Sequence, residues 1–134
     1  MELVIQKHSS GCGIACVAMI TSIAYETIVD NYRTHFPNDK SFRTDLGDIM
    51  KLLKMHGVSL GHRKKFKNWN AVPDFALMYT KYKKEGGVLR WHWIVFKREG
   101  GKETVYDPAK HLKNNIRNPK AVSPKYYHAI LIDK

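Results

Sequence analysis

From residue 12 to about residue 25 the chain reads CGIACVAMITSIAY, with Ala, Ile, Val and Met on nearly every side. A segment with no polar face cannot lie on a surface; it has to run through the middle of a fold. Its β-branched residues would also suit a strand, but its length and the glycines at its start predict a helix. The rest of the chain must then supply a cover for that helix. With 134 residues there is material for one domain, and 43% hydrophobic with 11% aromatic residues is a globular composition. No repeat, low-complexity tract or linker divides the chain, so residues 1–134 are read as a single domain.

The cover is readable in outline. A second short helix is expected from residue 26 to about 35, ending near Pro37. In a third, Leu46, Ile49, Met50 and Leu53 recur at helical spacing, Ser41 and Thr44 are candidate N-caps, and Gly57 is the stop. The pattern then changes period. Phe75, Leu77 and Tyr79 alternate with their neighbours, and Glu85-Gly86-Gly87 reads as a turn. A strand over 88–97 places Trp91, Trp93 and Val95 on one face and His92, Ile94 and Phe96 on the other. A second turn at residues 99–102 leads to a strand over 103–106, closed by Asp107-Pro108, and a last strand covers 126–132. Helices followed by an antiparallel sheet make the class α+β.

Chemistry concentrates in three places. Cys12 stands at the start of the apolar helix, where unpaired amides and the helix dipole favour a thiolate. Gly11 and Gly13 would let a substrate backbone approach the sulfur. The Cys12 amide can donate to an oxyanion, and Gln6, six residues earlier, can offer its side-chain NH2 as a second donor. As a polar loop residue, Gln6 is expected to matter little for stability. His92 is the candidate base, and Asp107, 15 residues later across a hairpin, the carboxylate that orients it. His128, before Ala-Ile-Leu-Ile, has a similar setting and is the rival base. Cys16 lies one helical turn after Cys12, poor geometry for a disulfide, so both are read as free thiols in a reducing, cytoplasmic setting.

The order Gln-x5-Cys, Gly-x-Ala-Cys with Ala-Met-Ile after it, His-Trp-Ile-Val and Val-Tyr-Asp-Pro-Ala-Lys resembles the bacteriocin-processing peptidase domain, found on peptidase-containing ABC transporters and in stand-alone relatives. The resemblance runs from Gln6 to Pro108. It implies a papain-like cysteine peptidase fold and cleavage of leader peptides, typically after a double glycine. It implies Cys12 as nucleophile, His92 as base, Asp107 as orienting acid and Gln6 in the oxyanion hole, with no cofactor or metal. Two positions depart from the family: Gly11 stands where Asp is usual before the cysteine, and Trp91 where a small residue is usual before the histidine.

Lys and Arg number 23 against 12 Asp and Glu, a net charge of +11, which favours anionic partners. The basic stretches at residues 62–67 and 81–84 would suit an acidic protein or peptide substrate; nucleic acid or an anionic membrane could use the same charge, although no nucleic-acid motif is present. No signal peptide, transmembrane segment or ATPase region is recognisable, so a stand-alone enzyme is expected. The same residues could instead serve a papain-like toxin or effector acting on side-chain amides (a deamidase or transglutaminase), delivered without a classical signal peptide. A basic binding protein that keeps the fold without the chemistry is the third reading.

Overall fold

A computed structural model describes residues 1–132. Three helices come first: α1 (Cys12–Thr21), α2 (Tyr25–His35) and α3 (Leu46–Lys54). Seven strands follow: β1 (Val58–Leu60), β2 (Lys64–Lys65), β3 (Phe75–Glu85), β4 (Val88–Glu99), β5 (Lys102–Tyr106), β6 (Ile116–Arg117) and β7 (Pro124–Ile132). They form an antiparallel sheet in the order β1-β7-β3-β4-β5-β6, with β2 also paired to β7. The class is α+β, in agreement with the order of helical and alternating patterns along the chain.

The apolar segment is indeed a helix, buried from Gly13 to Ile20. It ends at Thr21, earlier than its composition suggests. Ser22 takes the left-handed conformation (φ 59°) and returns its N–H to the Ala18 carbonyl, a helix stop that composition does not reveal. Helix α2 stops at His35, since Phe36 precedes a proline and is driven out of the helical region (φ −133°). The N-cap of α3 is neither Ser41 nor Thr44. Asp45 takes that place, accepting from the Asp48 amide at 2.8 Å while Asp48 accepts from the Asp45 amide at 3.0 Å. Met50, expected in the core, is exposed; Leu52 is buried in its stead with Ile49 and Leu53.

Alternation along β3 and β4 builds two cores on the two faces of the sheet. Leu77, Tyr79, Trp93 and Val95 face the helices, and Ala76, Met78, Ile94 and Phe96 form the other core with Val72, Val105, Val122 and Tyr127. The helices thus cover one face, and the loops around Trp69 and Val122 close the other. Both glycine-glycine turns are hairpins with positive φ at each glycine, Gly86-Gly87 and Gly100-Gly101. Strand β5 begins pairing with β4 at Glu99 and ends opposite Val95, which leaves the edge of β4 at His92 uncovered on that side.

Candidate active site

The loop before α1 is tied down at several points. The Gln6 amide N–H donates to the Pro108 carbonyl at 2.9 Å, linking this loop to the segment that carries Asp107. The Gly11 N–H donates to the His8 carbonyl at 2.9 Å, and His8 Nδ1 meets the Tyr25 hydroxyl at 2.9 Å. Cys12 then opens α1 in a half-buried position, while Cys16, one turn on, is fully buried. Burial pushes the Cys16 thiol well up, with the neighbouring Cys12 adding to it. The two glycines flanking Cys12 have an internal reason that the sequence alone does not show. A Cβ on Gly11 would strike the Tyr25 hydroxyl, and one on Gly13 would strike the Thr44 hydroxyl. They are small because the protein itself fills that space.

Strand β4 and the turn after β5 bring the other two groups. His92 Nε2 and Asp107 Oδ1 are 2.6 Å apart. Asp107, only 1% exposed, also accepts from the Ala109 amide at 3.1 Å and from Arg117 at 3.2 Å. Burial alone would raise the Asp107 carboxyl, but His92, the Ala109 amide and Arg117 outweigh it and hold it below the usual carboxylate range. Burial likewise disfavours a charged His92, yet the bond to Asp107 and the neighbouring Cys12 sulfur prevail and push its pKa up to about 9. With Nε2 facing Asp107, Nδ1 is the nitrogen left for the thiol. Such an imidazole stays protonated beside the sulfur at neutral pH, the state a thiolate nucleophile needs.

A cavity of about 270 Å³ opens over Cys12 and His92, walled by Ser9, Thr44, Leu89 and Trp91. A second, of about 380 Å³, lies between Gln6 and His92 and is rimmed by Lys81, Lys110 and His111. Both borders touch His92, so an extended ligand could cross the site from one cavity to the other.

Gln6 sits at this site but not in the posture expected of it. It is buried, and its NH2 donates to the His8 and Ser9 carbonyls, both at 3.0 Å, while Oε1 has no partner among the described residues. Its side-chain amide therefore organises the loop before Cys12, contrary to the expectation of a loop residue with little structural weight. His128 is excluded from the cleft: it is buried on β7, with Nε2 on the Tyr79 hydroxyl at 2.8 Å and Nδ1 on the Gly61 carbonyl at 2.9 Å. Burial lowers its pKa, and both ring nitrogens have partners, so it is a satisfied core histidine.

Sequence reasoning missed two residues around Asp107. Arg117 grips Oδ2, and Asn115 donates its NH2 to the Asp107 and Ala109 carbonyls, both at 2.7 Å. Neither carries a local signal, because each matters only through a chain reversal at β6. Among the described residues no three His, Cys, Asp or Glu side chains converge as metal ligands, and no helix is long and apolar enough by itself to cross a membrane. Compared with models of known protein families the chain matches none, and it matches none of the curated proteins searched.

Proposed function

We propose that the protein is a cysteine peptidase of papain-like fold, related to the bacteriocin-processing peptidases, with Cys12 as nucleophile, His92 as acid and base and Asp107 as orienting group. The observation that carries this reading is the 2.6 Å bond between His92 Nε2 and the buried carboxylate of Asp107, at a cleft that also holds Cys12 on a helix N-terminus. The thiolate attacks the carbonyl carbon of a peptide bond, and the carbonyl electrons move onto oxygen. That oxyanion receives the Cys12 amide N–H, one of the four that a helix start leaves without a partner. Gln6 can add a second donor by releasing one of its two loop carbonyls. Collapse of the intermediate expels the amine, which takes its proton from His92 and leaves a thioester on Cys12. His92, now neutral, removes a proton from water, and the hydroxide attacks the thioester to free the acid and restore the thiolate. Because Cys12 works only as a free thiolate, the reading carries with it a reducing compartment such as the cytoplasm.

The test is mass spectrometry of a peptide library or lysate treated with the wild type and with Cys12→Ala. New peptide termini that appear only with the wild type support a peptidase. A mass gain of about 1 Da at Gln side chains, without new termini, would replace it with a deamidase acting through the same thiol.

A further inference from the structure

Beside the catalytic cleft lies a third cavity, of about 580 Å³, open to solvent and lined by Lys65, Lys81, Tyr82, Arg117 and Lys125 among others. No acidic residue lines it. Among the described residues, Lys65, Lys81 and Lys125 pair with no carboxylate. Lys125 instead rests its ammonium over the Tyr82 ring at 5.3 Å, which fixes its position without neutralising it. Arg117 is the one cation here with a carboxylate partner, Asp107.

Lys81 joins this groove to the active site, since it lines both the groove and the cavity between Gln6 and His92. The backbone shows how. The β3–β4 register slips between Thr80 and Lys83, and Lys81 takes φ 52°. A bulge of this kind redirects a side chain that a regular strand would leave in register with its neighbours. The groove therefore adjoins the cavity between Gln6 and His92 at Lys81.

We infer that this groove docks an acidic segment, rich in Asp or Glu, of the same polypeptide whose peptide bond reaches Cys12. The inference rests on the peptidase reading, because continuity with the cleft is what makes the occupant a polypeptide. Unpaired ammonium groups along an open groove attract carboxylates, speed encounter and fix register. The charge excess of the whole chain adds a favourable long-range field at low ionic strength.

The experiment uses Cys12→Ala to prevent turnover and a fluorescent peptide of about twelve residues, with a central Gly-Gly and four Glu on one side. Binding is measured by anisotropy against the same peptide with Gln for Glu, and against a single-stranded oligothymidylate of equal charge. The acidic peptide should bind, and the Gln peptide at least about tenfold more weakly. Adding Lys65→Glu and Lys125→Glu should cost a similar factor, with Lys65→Gln and Lys125→Gln giving a smaller loss should the reversed charges disturb folding. Lys40→Glu with Lys54→Glu, the same charge change on exposed positions away from the groove, should have little effect. In the protein that retains Cys12, the acidic peptide should slow alkylation of Cys12 by iodoacetamide. Equal loss in both pairs of charge reversals, or tighter binding of the oligothymidylate, overturns the inference. An unreactive Cys12 with groove-dependent peptide binding intact would overturn the peptidase reading instead, so the two failures are distinguishable.

Discussion

At the scale of single residues, the site is a set of charges balanced against burial. Cys12 is accessible at a helix start and Cys16 is sealed one turn below, so alkylation at neutral pH should map to Cys12; preferential labelling of Cys16 would remove the nucleophile assignment. His92 retains its proton up to about pH 9, so the alkaline limb of kcat/KM should lie near there. Asp107→Asn removes the main group that raises it and leaves the Cys12 sulfur, which raises it, against burial, which lowers it. The limb should then move down toward 6.5, and an unmoved limb would mean that another group titrates. Gln6→Ala leaves carbonyls of the loop before Cys12 without its NH2, so it should lower stability by ~1–2 kcal/mol as well as the proposed turnover, readable by denaturant unfolding. A variant of undiminished stability would show that the loop holds itself through the Gly11 and Pro108 bonds alone.

At the scale of elements, the position of α1 is set by close approach. Gly13 faces Thr44 in the loop before α3, and Trp93 on β4 donates its indole N–H to the Thr44 carbonyl at 3.1 Å. One loop residue thus spaces α1, which carries Cys12, from the strand that carries His92. Gly13→Ala should cost ~1–3 kcal/mol through overpacking, despite alanine's better helix propensity. Thr44→Ala removes the hydroxyl it meets, so the double variant should recover part of the loss in a thermodynamic cycle. Simple additivity would mean that the helix shifts rather than clashes. The β5–β6 reversal plays the matching part for Asp107, through Arg117 and Asn115.

At the scale of the whole molecule, the His92–Asp107 pair couples folding to pH. The folded pKa of His92 is raised, so its contribution to stability is complete below about 6.5 and is lost as pH rises through about 9. Asp107 is held low, so its contribution is present above the ordinary carboxylate pKa and is lost as acid protonates it in the folded state. Both describe one ion pair and are not to be added. Unfolding free energy should therefore fall by up to a few kcal/mol between pH 6.5 and 9, and the fall should shrink in Asp107→Asn. A slope that is the same in the variant would place the effect elsewhere in this basic chain.

The sequence by itself determined the elements whose pattern is local and long. An apolar segment of this length behind two glycines forms a central helix, and alternation over β3 and β4 suffices to divide Trp93 and Val95 on one face from Ile94 and Phe96 on the other. It also singled out Cys12 at the start of such a helix, Asp107 just past the end of a strand, and His92 within β4. Only the tertiary structure decided which histidine meets Asp107. His92 and His128 have the same kind of sequence neighbourhood, and what separates them is that β3 lies between β4 and β7 in the sheet. Tertiary structure likewise gave Gly11 and Gly13 their reason, turned the Gln6 amide toward its own loop, and brought Arg117 to Asp107. The physical cause is the same in each case. Periodicity reports which face of an element avoids water, whereas a hydrogen bond across the fold depends on strand order, register and turn geometry, and no short window of residues carries those.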